Sequence, residues 1–213
     1  NRQRLDGGAM FGHVPRPMWL KWHMADELGR IELACRSFLV TGQTRIIGEI
    51  EMPTLIDTGI GNHFSSKLRD RYGITPPDRN CLPASLKEYG VRPEDVKQVI
   101  LSHLHFDHVG GSVENVRTGG LNTNGTPPCR LTFPNATHVV GHSAWKRAKD
   151  PLIRDAASFQ TEVLSALEDS GKLAIIDDPP ECAKLTRDFN FFSRLLGTLP
   201  LGYATANGHT PGM

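Results

Sequence analysis

The chain has 213 residues, 38% of them hydrophobic, which is enough apolar material for one substantial core, so a single domain over residues 1–213 is expected. Lys and Arg number 24 against 23 Asp and Glu, so no net field attracts polyanions and nucleic acid is not an expected partner. No apolar run reaches the roughly 18 to 20 residues of a membrane span, and we expect a cytoplasmic protein without membrane contact. A secreted or periplasmic location stays open, because the first residue is Asn1 rather than Met.

The four cysteines are expected to be reduced and partly buried. They lie far apart in the sequence with no C-x-x-C pair, which argues against a zinc knuckle or a redox motif. They are Cys35, Cys81, Cys129 and Cys182.

Short β-like segments dominate the first half of the chain, and strands and helices then alternate. Apolar, β-branched runs bounded by Gly or Pro predict strands at 31–40, 44–52, 53–59, 97–103 and 137–142. Helical spacing of apolar residues predicts helices at 62–73, 143–150 and 158–171, with shorter helical turns near 83–90 and 92–96. The Gly-, Asn- and Pro-rich stretch 118–135 is expected to be a long connection or an irregular hairpin. The alternation favours a layered α/β or α+β domain.

The stretch LSHLHFDHVGG, residues 101–111, places three histidines and an aspartate within six positions. His103 and His105 are two positions apart, so in an extended segment their side chains point to the same side and can coordinate one ion. Asp107 and His108 are expected to turn the other way and to hold a second ion beside the first. The alternative is a surface histidine cluster of no defined geometry, but the preceding buried strand and the fixed aspartate favour a two-metal site.

These residues resemble a known family. HLHFDH is similar to the H-x-H-x-D-H signature of the metallo-β-lactamase superfamily, and two further stretches agree: TLIDTGIG at 54–61 and ANGHTPGM at 206–213. Within the superfamily, residues 4–19 together with 132–140 look like the group of quorum-quenching N-acyl homoserine lactonases. The resemblance implies an α+β fold, the αββα sandwich of the superfamily.

The resemblance also implies roles for individual residues. The ligands of the first metal would be His103, His105 and His209, and those of the second would include Asp107 and His108. Asp57 resembles the aspartate beneath the metal loop, whose carboxylate accepts a ligand's second N–H. The alternatives are a simple turn residue for Asp57 and an ordinary loop histidine for His209.

An apolar cluster near the N-terminus is expected to serve packing or to line the substrate pocket. It comprises Met10, Phe11, Trp19 and Trp22, and Phe106 within the motif is a further candidate for pocket lining. No metal ligand is predicted among the remaining histidines, which are His13, His23, His63, His138 and His142.

The chain departs from the superfamily pattern near its end. Met213 stands where the G-H-T-P-G segment usually continues with another histidine. The superfamily supplies a bridging aspartate and a further histidine from strands beyond this point. The C-terminal part of the sandwich is therefore expected to be missing from residues 1–213, which leaves the second metal site incomplete.

The resemblance implies a hydrolase that uses two divalent metal ions. Zinc is the default for histidine-rich ligation, with iron, manganese and cobalt as alternatives. A metal-bound hydroxide would open a lactone or ester resembling an N-acyl homoserine lactone, and Asp107 would shuttle a proton to the leaving oxygen. The alternatives are a phosphotriesterase, arylesterase or β-lactam hydrolase on the same centre, or a non-catalytic metal-binding or sensing module. The expected partner is a small molecule, and a homodimer stays open.

Overall fold

The computed structural model describes residues 1–41, 53–116, 120–121, 125–178, 209–211 and 213. The predicted strand at 44–52 and Cys182 lie outside the described residues. Within these described ranges, no helix is long and apolar enough to cross a membrane. Cys35, Cys81 and Cys129 are free thiols, as predicted.

Nine strands of the described residues form three sheets. The strands are β1 (Arg2–Asp6), β2 (Arg30–Ala34), β3 (Phe38–Val40), β4 (Thr54–Ile56), β5 (Gln98–Leu101), β6 (Val113–Asn115), β7 (Cys129–Leu131), β8 (Thr137–Gly141) and β9 (Leu173–Ile176). The main sheet has the order β3-β4-β5-β8-β9, and its last four strands are parallel to one another. Two antiparallel pairs, β1-β2 and β6-β7, form the small sheets.

The helices are short, and three of them contact strands of the sheets. They are α1 (Gly7–Phe11), α2 (Arg16–Trp19), α3 (Ser66–Arg71), α4 (Leu82–Glu88), α5 (Phe106–Val109), α6 (His142–Lys149) and α7 (Thr161–Asp169). Helix α6 packs on β8 and β9, and α7 packs on β7. Val163 and Leu167 on α7 are buried, and Phe159 packs against the same core but lies before the helix, because the helix predicted at 158–171 begins only at Thr161.

Several predicted boundaries were wrong. The segment 31–40 is two strands rather than one, because β2 pairs with β1 whereas β3 joins the main sheet beside β4. The helix predicted at 62–73 starts only at Ser66, since the Ser65 hydroxyl caps it by accepting from the Leu68 amide, and Phe64 therefore lies before the helix. Strands β1 and β9 were not predicted.

The loop after β4 and the turn after α5 both contain glycine, and their main chains are in direct contact at the edge of the main sheet. Gly111 donates its amide to the carbonyl of Gly59 at 3.0 Å. A Cβ on Gly111 would lie 2.1 Å from the carbonyl oxygen of Thr58, and one on Gly110 would lie 2.2 Å from that of Ile60. Side chains at these positions would separate the loop after β4 from the turn after α5.

We expect Gly111→Ala to destabilise the fold by about 1 to 3 kcal/mol, because its Cβ must push the backbone of Thr58 away. Gly120→Ala is the matched control, since a Cβ there meets no atom of the described residues within 4 Å, and its effect should stay within about 0.5 kcal/mol. Denaturant unfolding of both variants measures the difference. Equal stability of the two would contradict the tight loop contact.

His138 is the second residue of strand β8. Its side chain is fully buried on β8, and burial lowers its pKa from 6.5 to about 4. Below pH 6.5 the unfolded chain takes up a proton at this position that the folded chain does not. The pH-dependent contribution of His138 to the free energy of unfolding is therefore at its maximum above pH 6.5 and is lost progressively between pH 6.5 and pH 4.

Replacing His138 by Leu should remove this contribution, so the loss of stability between pH 7 and pH 4 should shrink by about 3 kcal/mol. His142→Leu provides the control, because His142 is exposed at the start of α6 and should leave the pH dependence as it is. Unfolding free energies measured across this pH range test the prediction. A His138→Leu protein with the original pH dependence would refute it.

Candidate metal centre

The parallel strands β4 and β5 end side by side, and the predicted site residues follow them directly. Asp57 comes after β4 and donates its amide to the Ile100 carbonyl on β5. His103 and His105 lie on the loop that leaves β5, and helix α5 begins at Phe106. The carboxyl ends of neighbouring parallel strands thus bring the DTG loop and the histidine loop to one edge of the sheet.

Three of the predicted ligands form one cluster. His103 and His105 are 2% and 7% exposed, and His209, which is exposed, lies beside them. One nitrogen from each ring can be chosen so that all lie within 4.8 Å of one another. His209 Nε2 is 3.0 Å from His105 Nδ1, and the ring centroids of His103 and His209 are 5.1 Å apart.

The Asp57 carboxylate fixes the tautomer of His103 through Ser102. Ser102 donates its amide to Asp57 Oδ1 and its hydroxyl to Asp57 Oδ2, each at 2.8 Å. Because the only hydrogen of the hydroxyl goes to the carboxylate, Ser102 Oγ must accept at the 3.1 Å contact with His103 Nδ1. His103 therefore carries its proton on Nδ1, and Nε2 keeps the lone pair that a metal needs.

Asp57 also fixes the tautomer of His108, through a direct hydrogen bond. Its Nδ1 donates to Asp57 Oδ2 at 2.8 Å, and its Nε2 lies 3.9 Å from Asp107 Oδ2. The expectation that His108 turns away from the first histidines was wrong in part. The helical turn of α5 brings its ring back over His103, with centroids 4.0 Å apart, so both groups of predicted ligands share one small region.

Burial keeps the first two histidines neutral. Burial, helped by the neighbouring histidines, lowers the pKa of His103 to about 2. Burial and then the nearby His209 lower the pKa of His105 to about 4, against a smaller opposing effect of Asp107. For His108, burial acts downward, but the hydrogen bond to Asp57 and the charges of Asp107 and Asp57 outweigh it and raise the pKa.

The chemistry of this donor set fits a divalent metal ion. Neutral imidazole is a ligand that zinc and other transition metals favour. Among the described residues, His103 Nε2 and His105 Nε2 have no hydrogen-bond partner although both atoms are buried. Such atoms cost free energy unless something binds them, and a cation shared by the cluster would supply that partner.

Two residues at the site were not predicted from the sequence. Gln3 on β1 is 1% exposed and donates from Nε2 to Asp107 Oδ2 at 2.8 Å. Ser102 links Asp57 to His103 as described above. The polar Ser102 directly before the motif was a usable signal, whereas nothing in the local sequence around Gln3 points to a residue 104 positions away.

The residues predicted to line a pocket fall in different places. Phe106 lines a cavity next to the histidines. Trp19 is 2% exposed and stacks on Phe11, whereas Met10 and Trp22 are 45% and 62% exposed. These four N-terminal residues lie outside the wall of that cavity as formed by the described residues, and their pocket role stays a prediction.

A mostly parallel sheet whose strand ends carry clustered histidines characterises an α+β protein with a candidate metal site. The family described as the metallo-β-lactamase superfamily matches residues 30–123. A solved structure of a probable metal-dependent hydrolase from Staphylococcus aureus superposes with a TM-score of 0.67 at 28% identity, over 85% of this chain and 57% of the other. Residues 30–123 thus match the metallo-β-lactamase superfamily, and the chain has the fold of that superfamily.

Further similarities agree with this placement. The structure of the hydrolase AbOPH, a β-lactamase superfamily protein, matches with a TM-score of 0.51 at 22% identity, over 85% of this chain and 56% of the other. Among curated proteins, the N-acyl homoserine lactonase AttM of Azorhizobium caulinodans is 31% identical over 106 residues, 46% of this chain and 33% of the relative. The N-acyl homoserine lactonase of Bacillus cereus is 36% identical over 72 residues, 29% of this chain and 28% of the relative. The matched regions thus span about a third of these curated relatives.

We expect Asp57→Asn to weaken metal binding by about 10- to 100-fold, the range typical of losing a partner behind a metal ligand. Asparagine tolerates the left-handed backbone at this position, where φ is 55°, but it cannot accept all three hydrogen bonds. Ser102→Ala should weaken metal binding through His103 alone, because His108 keeps its own hydrogen bond to Asp57.

Chelator competition with zinc measures both variants. Asp95→Asn is the control, because Asp95 only pairs with Arg92 on the surface. Unchanged zinc affinity in Asp57→Asn would show that the carboxylate does not orient the histidines.

Proposed function

We propose that the protein is a metal-dependent hydrolase that opens a lactone or ester resembling an N-acyl homoserine lactone. The observation that carries the proposal is the cluster of His103, His105 and His209 with two buried, unpartnered ring nitrogens. The match of residues 30–123 to the metallo-β-lactamase superfamily and the similarity to curated N-acyl homoserine lactonases support the reaction class.

In this proposal the residues divide into two groups. His103, His105 and His209 hold a first divalent ion, and Asp107 with His108 contributes to a second; zinc is the proposed metal. A bound divalent cation lowers the pKa of coordinated water to around 7 and polarises a carbonyl oxygen. Water would attack the ester carbonyl carbon and form a new C–O bond, the ring C–O bond would break, and the proton that the water gives up would end on the leaving ring oxygen.

The protein's own groups would complete the reaction. The Asp107 carboxylate lies next to the histidines with its side chain 26% exposed, so it can accept the proton that the attacking water gives up and pass it to the alkoxide that leaves. Gln3 holds that carboxylate in place through one oxygen. Phe106 and Phe159 provide an apolar wall, and the ring of Phe159 lies 4.9 Å from that of His105. This wall suits an uncharged substrate with an acyl chain.

The test combines metal content with turnover. A form of the protein that continues beyond residue 213 and supplies the missing ligands should bind about two divalent ions and open N-acyl homoserine lactones with release of acid, and a strong chelator should abolish both. Asp107→Asn should keep the three-histidine ion but lower turnover about a hundredfold or more, the scale of losing a general acid.

Elemental analysis and acid release provide the two measurements. Absence of bound metal after reconstitution with zinc, manganese or cobalt would overturn the proposal. Turnover of phosphotriesters or β-lactams without lactone opening would replace the substrate class, and full turnover in Asp107→Asn would remove the proton-transfer role.

A further inference from the structure

Residues 7–25, which form most of the connection between β1 and β2, carry a concentration of exposed apolar side chains. Among the described residues, twelve large apolar side chains are exposed, and five of them lie in this segment. Large apolar side chains scattered singly over a surface are ordinary, whereas a group of them marks a surface that binds something. The five are Met10, Met18, Leu20, Trp22 and Met24, with Trp22 62% and Met24 91% exposed.

Aromatic contacts hold Trp22 in place. Trp19 is 2% exposed and packs on Gly7, where a Cβ would lie 2.5 Å from the indole ring. Phe11 stacks on Trp19 with ring centroids 5.3 Å apart and meets Trp22 edge-on at 6.5 Å. The Trp22 amide also donates to the Trp19 carbonyl at 2.9 Å. Trp22 is therefore presented by an anchored ring cluster, so little conformational freedom is lost when it enters an apolar phase.

The 7–25 segment is also positively charged. It contains Arg16 and Lys21 and no aspartate or glutamate, and Lys21 directly precedes Trp22. Trp and Met beside Lys and Arg are typical of protein surfaces that rest on a bilayer, because the apolar groups enter the headgroup region while the cations stay at anionic headgroups. The segment thus complements an anionic lipid surface in both polarity and charge.

Three acidic residues flank the segment, and they are Asp6, Asp26 and Glu27. Asp26 is engaged within the protein, since it pairs with Arg30 at 2.9 Å. Asp6 and Glu27 line a cavity together with Arg16, so these two carboxylates offset part of the arginine charge. Lys21 lies outside the wall of this cavity as the described residues form it. The cation next to Trp22 is therefore the one that an anionic surface would meet with its full charge.

A second copy of the chain suits this surface less well than lipid does. In a two-fold dimer the same patch meets itself. Arg16 and Lys21 of the two copies would then come together with no acidic residue of the 7–25 segment between them. Like charges brought together at an interface cost free energy, whereas an anionic bilayer supplies the opposite charge.

We propose that the 7–25 segment docks on the surface of an anionic lipid bilayer, with Trp22 and Met24 in the headgroup region and Lys21 at the lipid phosphates. The sequence-based expectation of no membrane contact rested on the lack of an apolar run long enough to span a bilayer, and surface docking needs no such run. A few apolar side chains and cations give weak, reversible binding. The proposal goes beyond the hydrolase function and does not depend on it.

Sedimentation with vesicles tests the proposal. We expect the protein to bind vesicles of phosphatidylcholine with about a third phosphatidylglycerol about tenfold more tightly than vesicles of phosphatidylcholine alone. Binding should weaken as the salt concentration rises from about 0.05 M to about 0.5 M. Tryptophan emission gives a direct signal, because Trp19 and Trp145 are 2% and 9% exposed and Trp22 is the exposed member of the three. A blue shift on binding therefore reports the entry of Trp22 into lipid.

Trp22→Ser should lower vesicle affinity about tenfold and remove the blue shift. Met24→Ser should lower the affinity independently, even where Trp22→Ser fails to fold. Lys21→Gln should weaken binding to anionic vesicles about fivefold and leave binding to neutral vesicles unchanged. Tyr89→Ser and Lys87→Gln are the matched controls, because they remove an exposed aromatic ring and an exposed charge at the end of α4 and should leave binding unchanged.

Absence of binding to anionic vesicles would overturn the proposal, and so would equal binding to neutral and anionic vesicles. Full binding by both Trp22→Ser and Met24→Ser would overturn it as well. A concentration-dependent dimer that Trp22→Ser dissociates would assign the surface to a second copy instead of lipid. Lactone opening is a separate measurement, so its failure would overturn the proposed function and leave the lipid contact standing.

Discussion

The Asp57 carboxylate accepts hydrogen bonds from the amide and hydroxyl of Ser102 and from the ring of His108, and so joins the end of β4 to the loop after β5 and to α5. Its backbone is left-handed with φ of 55°, a conformation that costs an ordinary side chain of order 1 kcal/mol. The three bonds offset that cost. They also decide which nitrogen of His103 and His108 carries the proton, so a single side chain prepares two rings for metal binding before any ion arrives.

This arrangement needs the two loops to stay close. The loop after Asp57 touches the Gly110–Gly111 turn through main-chain atoms, and the Thr58 amide and hydroxyl both donate to the His108 carbonyl. The turn therefore requires glycine because the two main chains lie too close for a side chain, and not because the turn must be flexible. A Cβ would meet a carbonyl oxygen within about 2.2 Å. The metal centre and the packing of the sheet edge are consequently one structural unit.

The sequence predicted the part of the site that is local. The spacing of His103 and His105 after a β-branched strand was sufficient to place both at a strand end, and the G-H-T-P-G segment identified His209, which the structure places in the cluster. Gln3 could not be found in this way, because it reaches Asp107 from a strand 104 positions earlier, and such a contact leaves no periodicity or spacing in the sequence.

Other misses have similar causes. The division of 31–40 into β2 and β3 depends on which strand each half pairs with. The tertiary structure determines this pairing, and the local sequence does not. His63 resembled an isolated polar residue in a turn, and only its contacts with Asn115 and Gln160 distinguish it. Where the main chain and a short motif determine the geometry, sequence patterns suffice; where a side chain depends on distant partners, they do not.

The contact between His105 and His209 closes a loop of 104 positions. The entropy lost on closing a flexible loop grows only with the logarithm of its length, so a doubling of the intervening chain would cost only about 0.6 kcal/mol more. Segments between the motif and His209 can therefore lengthen or shorten considerably in evolution without weakening the histidine cluster much. Relatives of this protein are free to vary that stretch while the three histidines keep their positions.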